Sequence, residues 1–183
     1  MEWSRPVLLV PGKSDRANGT TMPLVRHLED AADVAAVLWD DWVPTHIKRV
    51  IAADVPDGME GARTLFTWLA GVHDIGKASP AFCEMLATTS RLPEVVARME
   101  REGFDFPVRT TSARWPRHEK LSTHILRTWR KSRVPEATPY TLSTIVGIVG
   151  IHHGTPTTAS DLQAVERWRG DAPIWRDVQD EIA

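Results

Sequence analysis

Apolar residues along this chain recur mostly at intervals of three and four, the spacing of one face of a helix. Leu24, Leu28, Ala31, Ala35 and Leu38 form such a stripe. They predict a helix over about Met22–Trp42, capped by Thr20 or Thr21, with Pro23 in its first turn. Pro44 opens a short helix over about Thr45–Ala53, and Val55-Pro56-Asp57-Gly58 reads as a turn. Leu65, Leu69 and Val72 place a helix over about Glu60–Ile75. Ser79-Pro80 is a cap with a first-turn proline and starts a helix to about Leu86; Pro93 starts another, to about Glu102. Residues 103–116, rich in Gly, Pro, Thr and Ser, predict a loop. Two further stripes, Leu121-Ile125-Trp129 and Leu142-Val146-Val149, give helices over about Arg117–Arg130 and Tyr140–His152. Helices over about Ala159–Trp168 and after Pro173 finish the chain. Val7–Val10 is the only strand-like run, and it is short. The expected fold is all-α: many short helices, with proline-marked starts, in one compact single-domain bundle over residues 1–183.

Composition adds little to this picture and removes several alternatives. With 183 residues the chain can bury a core as one domain. No apolar run reaches membrane-spanning length, and Met1–Pro6 followed by four apolar residues is too short for a secretion signal. A single cysteine, Cys83, fits a reducing compartment, so a cytoplasmic protein is expected, with Cys83 packed in the interior. A net charge of −2 gives no global nucleic-acid signature. Pro11-Gly12-Lys13-Ser14 has the look of a phosphate-binding loop, but that motif needs a glycine where Val7 stands. Lys13 and Ser14 are expected to begin a surface loop running through Asn18-Gly19.

The chemistry is carried by histidines. His73-Asp74 closes an apolar helical run and is followed by Ile75-Gly76-Lys77. On a helix, adjacent side chains diverge by about 100°, so the imidazole can serve one metal while the carboxylate reaches a second. His27 lies on the apolar face of its helix, His118 on the Leu121 stripe, and His153, beside His152, on the Val149 stripe. Five unpaired buried imidazoles would be costly, and a shared metal centre uses their lone pairs. His46 and His124 sit off these faces and are expected to be structural or on the surface. Imidazole favours Zn, Fe, Ni and Cu, and the carboxylate extends the choice toward Mg and Mn.

The order His27, His73-Asp74, His118, His152-His153 resembles the HD superfamily of metal-dependent phosphohydrolases. Local patterns are more specific: Gly12-Lys13-Ser14, Pro23-Leu24-Val25-Arg26-His27-Leu28, His73-Asp74-Ile75-Gly76-Lys77-Ala78 with Ala81-Phe82, Arg117-His118-Glu119 with Leu121-Ser122, and Gly150-Ile151-His152-His153-Gly154. These resemble the HD nuclease domain of the CRISPR type I helicase-nuclease. The resemblance implies two divalent transition ions (Fe, Ni, Co or Mn, with Mg possible). It assigns His27, His73 and Asp74 to one ion, with Asp74 bridging, and His118, His152 and His153 to the other. It further implies endonuclease and processive exonuclease action on single-stranded DNA, and partnership with a helicase domain or subunit and a CRISPR surveillance complex. The family continues to a later aspartate, in an Asp-Trp-x-x-Ser context, that completes the first ion site. Asp161, Asp171, Asp177 and Asp180 lack that context, and no helicase motif is present. The chain is therefore expected to lack the C-terminal part of such a domain. Two other functions share the constellation: a nucleotide or cyclic-nucleotide phosphohydrolase, and a non-catalytic module that docks to a CRISPR complex.

Lys77 is a candidate to hold a phosphate oxygen as a point charge. Residues 108–134 carry eight cations against one acid, with Trp115 and Trp129 among them, the mixture that tracks and stacks single strands. Arg109, Arg114 and Arg117 are the candidate DNA contacts.

Overall fold

The computed structural model describes residues 2–15, 17–106, 115–133 and 139–183. Its helices are α1 (Arg5–Leu9), α2 (Leu24–Val37), α3 (Thr45–Ala52), α4 (Gly58–Val72), α5 (Pro80–Ser90), α6 (Pro93–Arg101), α7 (His118–Arg133), α8 (Pro139–Gly150), α9 (Ala159–Val165) and α10 (Pro173–Ile182). A two-stranded antiparallel hairpin, β1 (Pro11–Asp15) and β2 (Thr20–Pro23), accompanies them. The all-α helical architecture expected from the periodicity is the one observed.

The N-terminal segment departs from expectation. Val7–Val10 is not a strand: Val7 lies in α1, which begins with Pro6 in its first turn. Val7 and Val10 are fully buried while Leu8 is 42% exposed, a three-residue interval rather than alternation. The extended segment comes next, where a surface loop was expected: Gly12-Lys13-Ser14 forms β1 and Thr20–Pro23 forms β2, delaying α2 to Leu24. Gly12 sits at an irregularity between the Pro11–Pro23 and Lys13–Met22 pairs. A Cβ there would stand 2.8 Å from the Leu24 Cα, so glycine lets the hairpin lie against the start of α2. α2 passes directly into a π-helical turn, Leu38–Trp42.

The main core joins Leu24, Val25 and Leu28 of α2, Val72 of α4, Ile125 and Leu126 of α7, Val146 and Val149 of α8, and Trp175 and Val178 of α10. Each such side chain, fully buried, stabilises the fold by about 1.5–3 kcal/mol relative to exposure. A smaller cluster sets Leu121 of α7 against Ala81, Val165 and Trp168. Cys83 is fully buried, and that burial pushes its thiol pKa up, away from the reactive thiolate. α10 also fixes the chain just after His73-Asp74: Gln179, 1% exposed, donates from Nε2 to the carbonyls of Ala78 (2.8 Å) and Arg169 (3.0 Å). No helix among the described residues is long and apolar enough to cross a membrane.

Candidate metal centre

α4 ends at Val72, and the two residues of the central pair diverge there. His73 keeps helical torsions, whereas Asp74 has φ −104° and ψ 14°, outside the helix. A short 3-10 turn, Ile75–Lys77, follows. The carboxylate thus leaves the helix axis and enters a buried position, 4% exposed. Gly76 does not loosen this turn, as a glycine there suggests, but closes it against α7. A Cβ at Gly76 would lie 2.0 Å from the His118 carbonyl oxygen and 2.5 Å from the Ser122 nitrogen. The Gly76 N–H donates to Ser122 Oγ at 2.9 Å. This contact brings His118, the first residue of α7, to Asp74.

The two carboxylate oxygens of Asp74 face different groups. Oδ2 lies 2.9 Å from His27 Nε2, 3.2 Å from His73 Nε2 and 2.7 Å from Lys77 Nζ. Oδ1 lies 3.0 Å from His118 Nε2 and 3.3 Å from His152 Nε2. His153 Nε2 stands 3.1 Å from His118 Nε2. All six histidine and aspartate positions singled out in the sequence therefore converge, in two groups that could each hold an ion: His27, His73 and Asp74, and Asp74, His118, His152 and His153. His46 is exposed and His124 is half-buried; neither joins these groups.

Several observations test whether ions fit here. Asp74 Oδ1 is buried, and the His118 and His152 nitrogens 3.0 and 3.3 Å from it are not aligned as hydrogen-bond donors, so the oxygen is poorly satisfied by the described residues, which is costly. His73 Nδ1 donates to the Ala70 carbonyl (2.7 Å) and His152 Nδ1 to the Val149 carbonyl (2.6 Å). With Nδ1 committed to a carbonyl, Nε2 is the ring nitrogen left for an ion, the tautomer a metal ligand needs. Two donors each about 2.1 Å from one ion, at 90–110°, stand about 3.0–3.4 Å apart; the distances of His73, His118 and His152 from the carboxylate and the His118–His153 separation fall at these values, and His27 stands just inside them at 2.9 Å. The donor set of imidazoles and one shared carboxylate suits a transition metal.

Electrostatics favours an anionic centre. Burial alone would raise the Asp74 pKa, but His118, His152, His73 and Lys77 hold it far below the usual carboxylate range. Burial lowers the pKa of His27 despite its contact with Asp74. For His152 burial acts the same way, but Asp74 and the Val149 carbonyl outweigh it and raise the value.

Three expectations about this cluster change. The imidazoles are not fully buried: the side chains of His27, His73, His118 and His152 are 16–24% exposed, and His153 is exposed. His152 and His153 lie in the turn after α8 rather than within it. The outer edges of these rings face solvent. Lys77 is not free to meet a phosphate: its Nζ is buried between Asp74 Oδ2 and the Gly12 carbonyl (3.2 Å). Its position next to Asp74 makes it a counter-charge for the carboxylate.

The four later aspartates stay away from both groups. Asp161 completes the capping box of α9 with Thr158 and pairs with Lys120 at 2.5 Å, and its pKa falls to about 2 through these contacts. Asp180 pairs with Arg133, while Asp171 and Asp177 are exposed.

Of the candidate DNA contacts, Arg109 and Arg114 lie outside the described residues. Arg117 places its Nε 2.5 Å from Oε1 of Glu119, whose side chain is 1% exposed. The rest of the basic stretch does not form one free face: Lys120 and Arg133 pair with acids from α9 and α10, and Arg130 is buried. Trp115 packs on Trp168, and Trp129 on Trp68. The sequence counts cations locally and does not show the acids that later helices return to them. Arg117→Ala is expected to lower stability by about 1–3 kcal/mol by leaving the buried Glu119 carboxylate alone. The urea midpoint should fall and recover in Arg117→Ala/Glu119→Gln; a residue serving DNA alone would leave the midpoint in place.

Comparison with known proteins agrees with this constellation. The family model described as "Cas3, HD domain" matches residues 12–183. The CRISPR-associated nuclease/helicase Cas3 of Streptococcus thermophilus is 30% identical over 152 residues, covering 76% of this chain and 15% of that protein. The CRISPR-associated endonuclease/helicase Cas3 of Thermus thermophilus is 31% identical over 160 residues, covering 86% of this chain and 16% of that protein. The chain thus spans about one-sixth of the length of these curated relatives. A solved structure described as that of a CRISPR-associated protein superposes with a TM-score of 0.81 at 24% identity, over 96% of this chain and 19% of that one, and shows the same fold. With its imidazoles gathered on one aspartate and the family model matching nearly its whole length, this chain belongs to the Cas3 HD domain family.

Proposed function

We propose that this chain is a metal-dependent nuclease domain that cuts single-stranded DNA in CRISPR interference, working in the cytoplasm with a helicase domain or subunit and a surveillance complex. The observation that carries this reading is the division of labour on Asp74, whose Oδ2 serves His27 and His73 while Oδ1 serves His118 and His152. One carboxylate shared between two imidazole groups is an arrangement for a pair of ions. Bound there, Fe, Ni, Co or Mn supplies Lewis-acid activation of a phosphodiester and of water. The protein's own part is to hold its donors fixed. The Ala70 and Val149 carbonyls set the ring orientation of His73 and His152, and Lys77 anchors Asp74. The solvent-exposed edges of the imidazoles leave the phosphate an approach.

The two positions are unequal. The Oδ1 group has four donors, whereas the Oδ2 group has three and shares its oxygen with Lys77. The first ion is expected to settle with His118, His152 and His153, and the second to bind more weakly beside His27 and His73. Metal content per chain, followed by cleavage assays with added Mn, Ni or Co, tests the reading. Two ions with metal-dependent cutting of single-stranded DNA support it. Hydrolysis of small phosphate esters without DNA cutting replaces it with the nucleotide phosphohydrolase. One ion and no cutting of either substrate leaves a docking module.

A further inference from the structure

A groove that the chemistry above leaves without a role shares two side chains with the metal centre. It runs between α2, α3, α4 and α8, encloses about 560 Å³, and begins at His73 and His152. Beyond these the lining is almost entirely aliphatic, with Val34 and Leu38 on one side and Leu69 and Ile148 on the other, and no charged side chain. Val34 and Ile148 are 59% and 50% exposed, so the groove opens to solvent beside them.

The geometry points to this groove as the seat of a nucleobase, the one next to the scissile phosphate of a single strand. This rests on the nuclease reading. A base is joined to its phosphate through one sugar. A groove that starts at the phosphate-binding residues therefore lies within reach of one nucleotide. Its lining refuses the rest of the strand, because burying a phosphate without a counter-charge is prohibitive. Only the flat, uncharged faces of the base fit. The volume lies in the range of small-molecule sites and admits a base with part of its sugar. No set of hydrogen-bonding groups converges inside it, so it cannot read a base edge, and its apolar lining, with the Phe66 ring in it, takes any base by its face. The wall it shares with the metal centre is held in place, since the His73 and His152 rings stand edge to face at 5.3 Å with each Nδ1 tied to a carbonyl.

The test uses a nuclease-resistant single-stranded oligonucleotide carrying one 2-aminopurine, added to the Mn-loaded chain. At one position along the strand the emission should change as that base leaves its stack for the groove. Val34→Glu and Ile148→Glu should weaken binding about tenfold and abolish the change, with metal content as in the parent. In the unaltered protein, one abasic nucleotide should weaken binding similarly at a single position. Equal affinity for all abasic positions, or equal binding by parent and glutamate variants in a chain that still cuts DNA, overturns the base groove and leaves the nuclease reading standing. A metal-loaded parent that binds no oligonucleotide overturns both. A dimeric parent whose glutamate variants are monomers with undiminished strand binding makes the groove a contact between copies, and also overturns the inference.

Discussion

Asp74→Asn should strip both ion positions at once and slow single-stranded DNA cleavage by about 10³-fold or more, the several kcal/mol that bound ions contribute to phosphoryl chemistry. No other described residue stands in both groups. His73→Ala removes one of three donors beside Oδ2 and none beside Oδ1, so it should leave one ion per chain. Asp74→Asn has a second effect, because Lys77 then keeps a buried charge with no anionic partner among the described residues, beside the Gly12 carbonyl and the Phe82 ring. Breaking a buried pair from one side costs about 3–5 kcal/mol. Asp74→Asn/Lys77→Met should recover most of that loss in urea unfolding while binding no metal, which separates charge burial from ligation. An Asp74→Asn chain that retains two ions by elemental analysis would remove the bridging role.

Gly76→Ala should be nearly as damaging, although the residue carries no chemistry. Its Cβ would collide with the backbone at His118 and Ser122 rather than with the end of a flexible side chain. Overpacking commonly costs about 1–3 kcal/mol, and backbone obstacles place this case at the upper end. For a domain of this size that lowers the melting temperature by roughly 6–12 °C. α7 must retreat, carrying His118 away from Asp74, so the position with four donors should weaken with the fold. Gly71→Ala is the control. Its Cβ would meet only the Ala32 Cβ at an ordinary 3.5 Å inside α4, and the exchange should stabilise by about 0.5–1 kcal/mol. Equal melting temperatures for the two variants would refute the packing role of Gly76.

Helix positions and the convergence of six side chains were legible in the sequence because both depend on periodicity and order. Leu24, Leu28 and Ala35 are buried as the stripe requires. What was not legible depends on partners distant in sequence. Val7–Val10 reads as a strand because a four-residue apolar run is ambiguous; the packing that makes it helical comes from later elements. Gly76 looks like a flexible break, and only the approach of α7, more than forty residues on, shows why a side chain is excluded there. Lys77 looks free for substrate because Gly12 lies sixty-five residues before it. The open groove beside His73 had no sequence signal, since Val34 and Ile148 lie next to stripes that read as core and look like ordinary apolar neighbours of them.

The donors come from residues 27, 73–74, 118 and 152–153, so no ion can be gripped until four separated segments have docked. Closing such long stretches of chain is entropically expensive and falls late in folding. Interactions absent from the folding transition state slow unfolding without speeding folding. Loaded ions should therefore act as a kinetic clasp, lowering the unfolding arm of a denaturant chevron while the refolding arm stays where it is. A chain of this kind would be long-lived once charged with metal, and renewable when it is not.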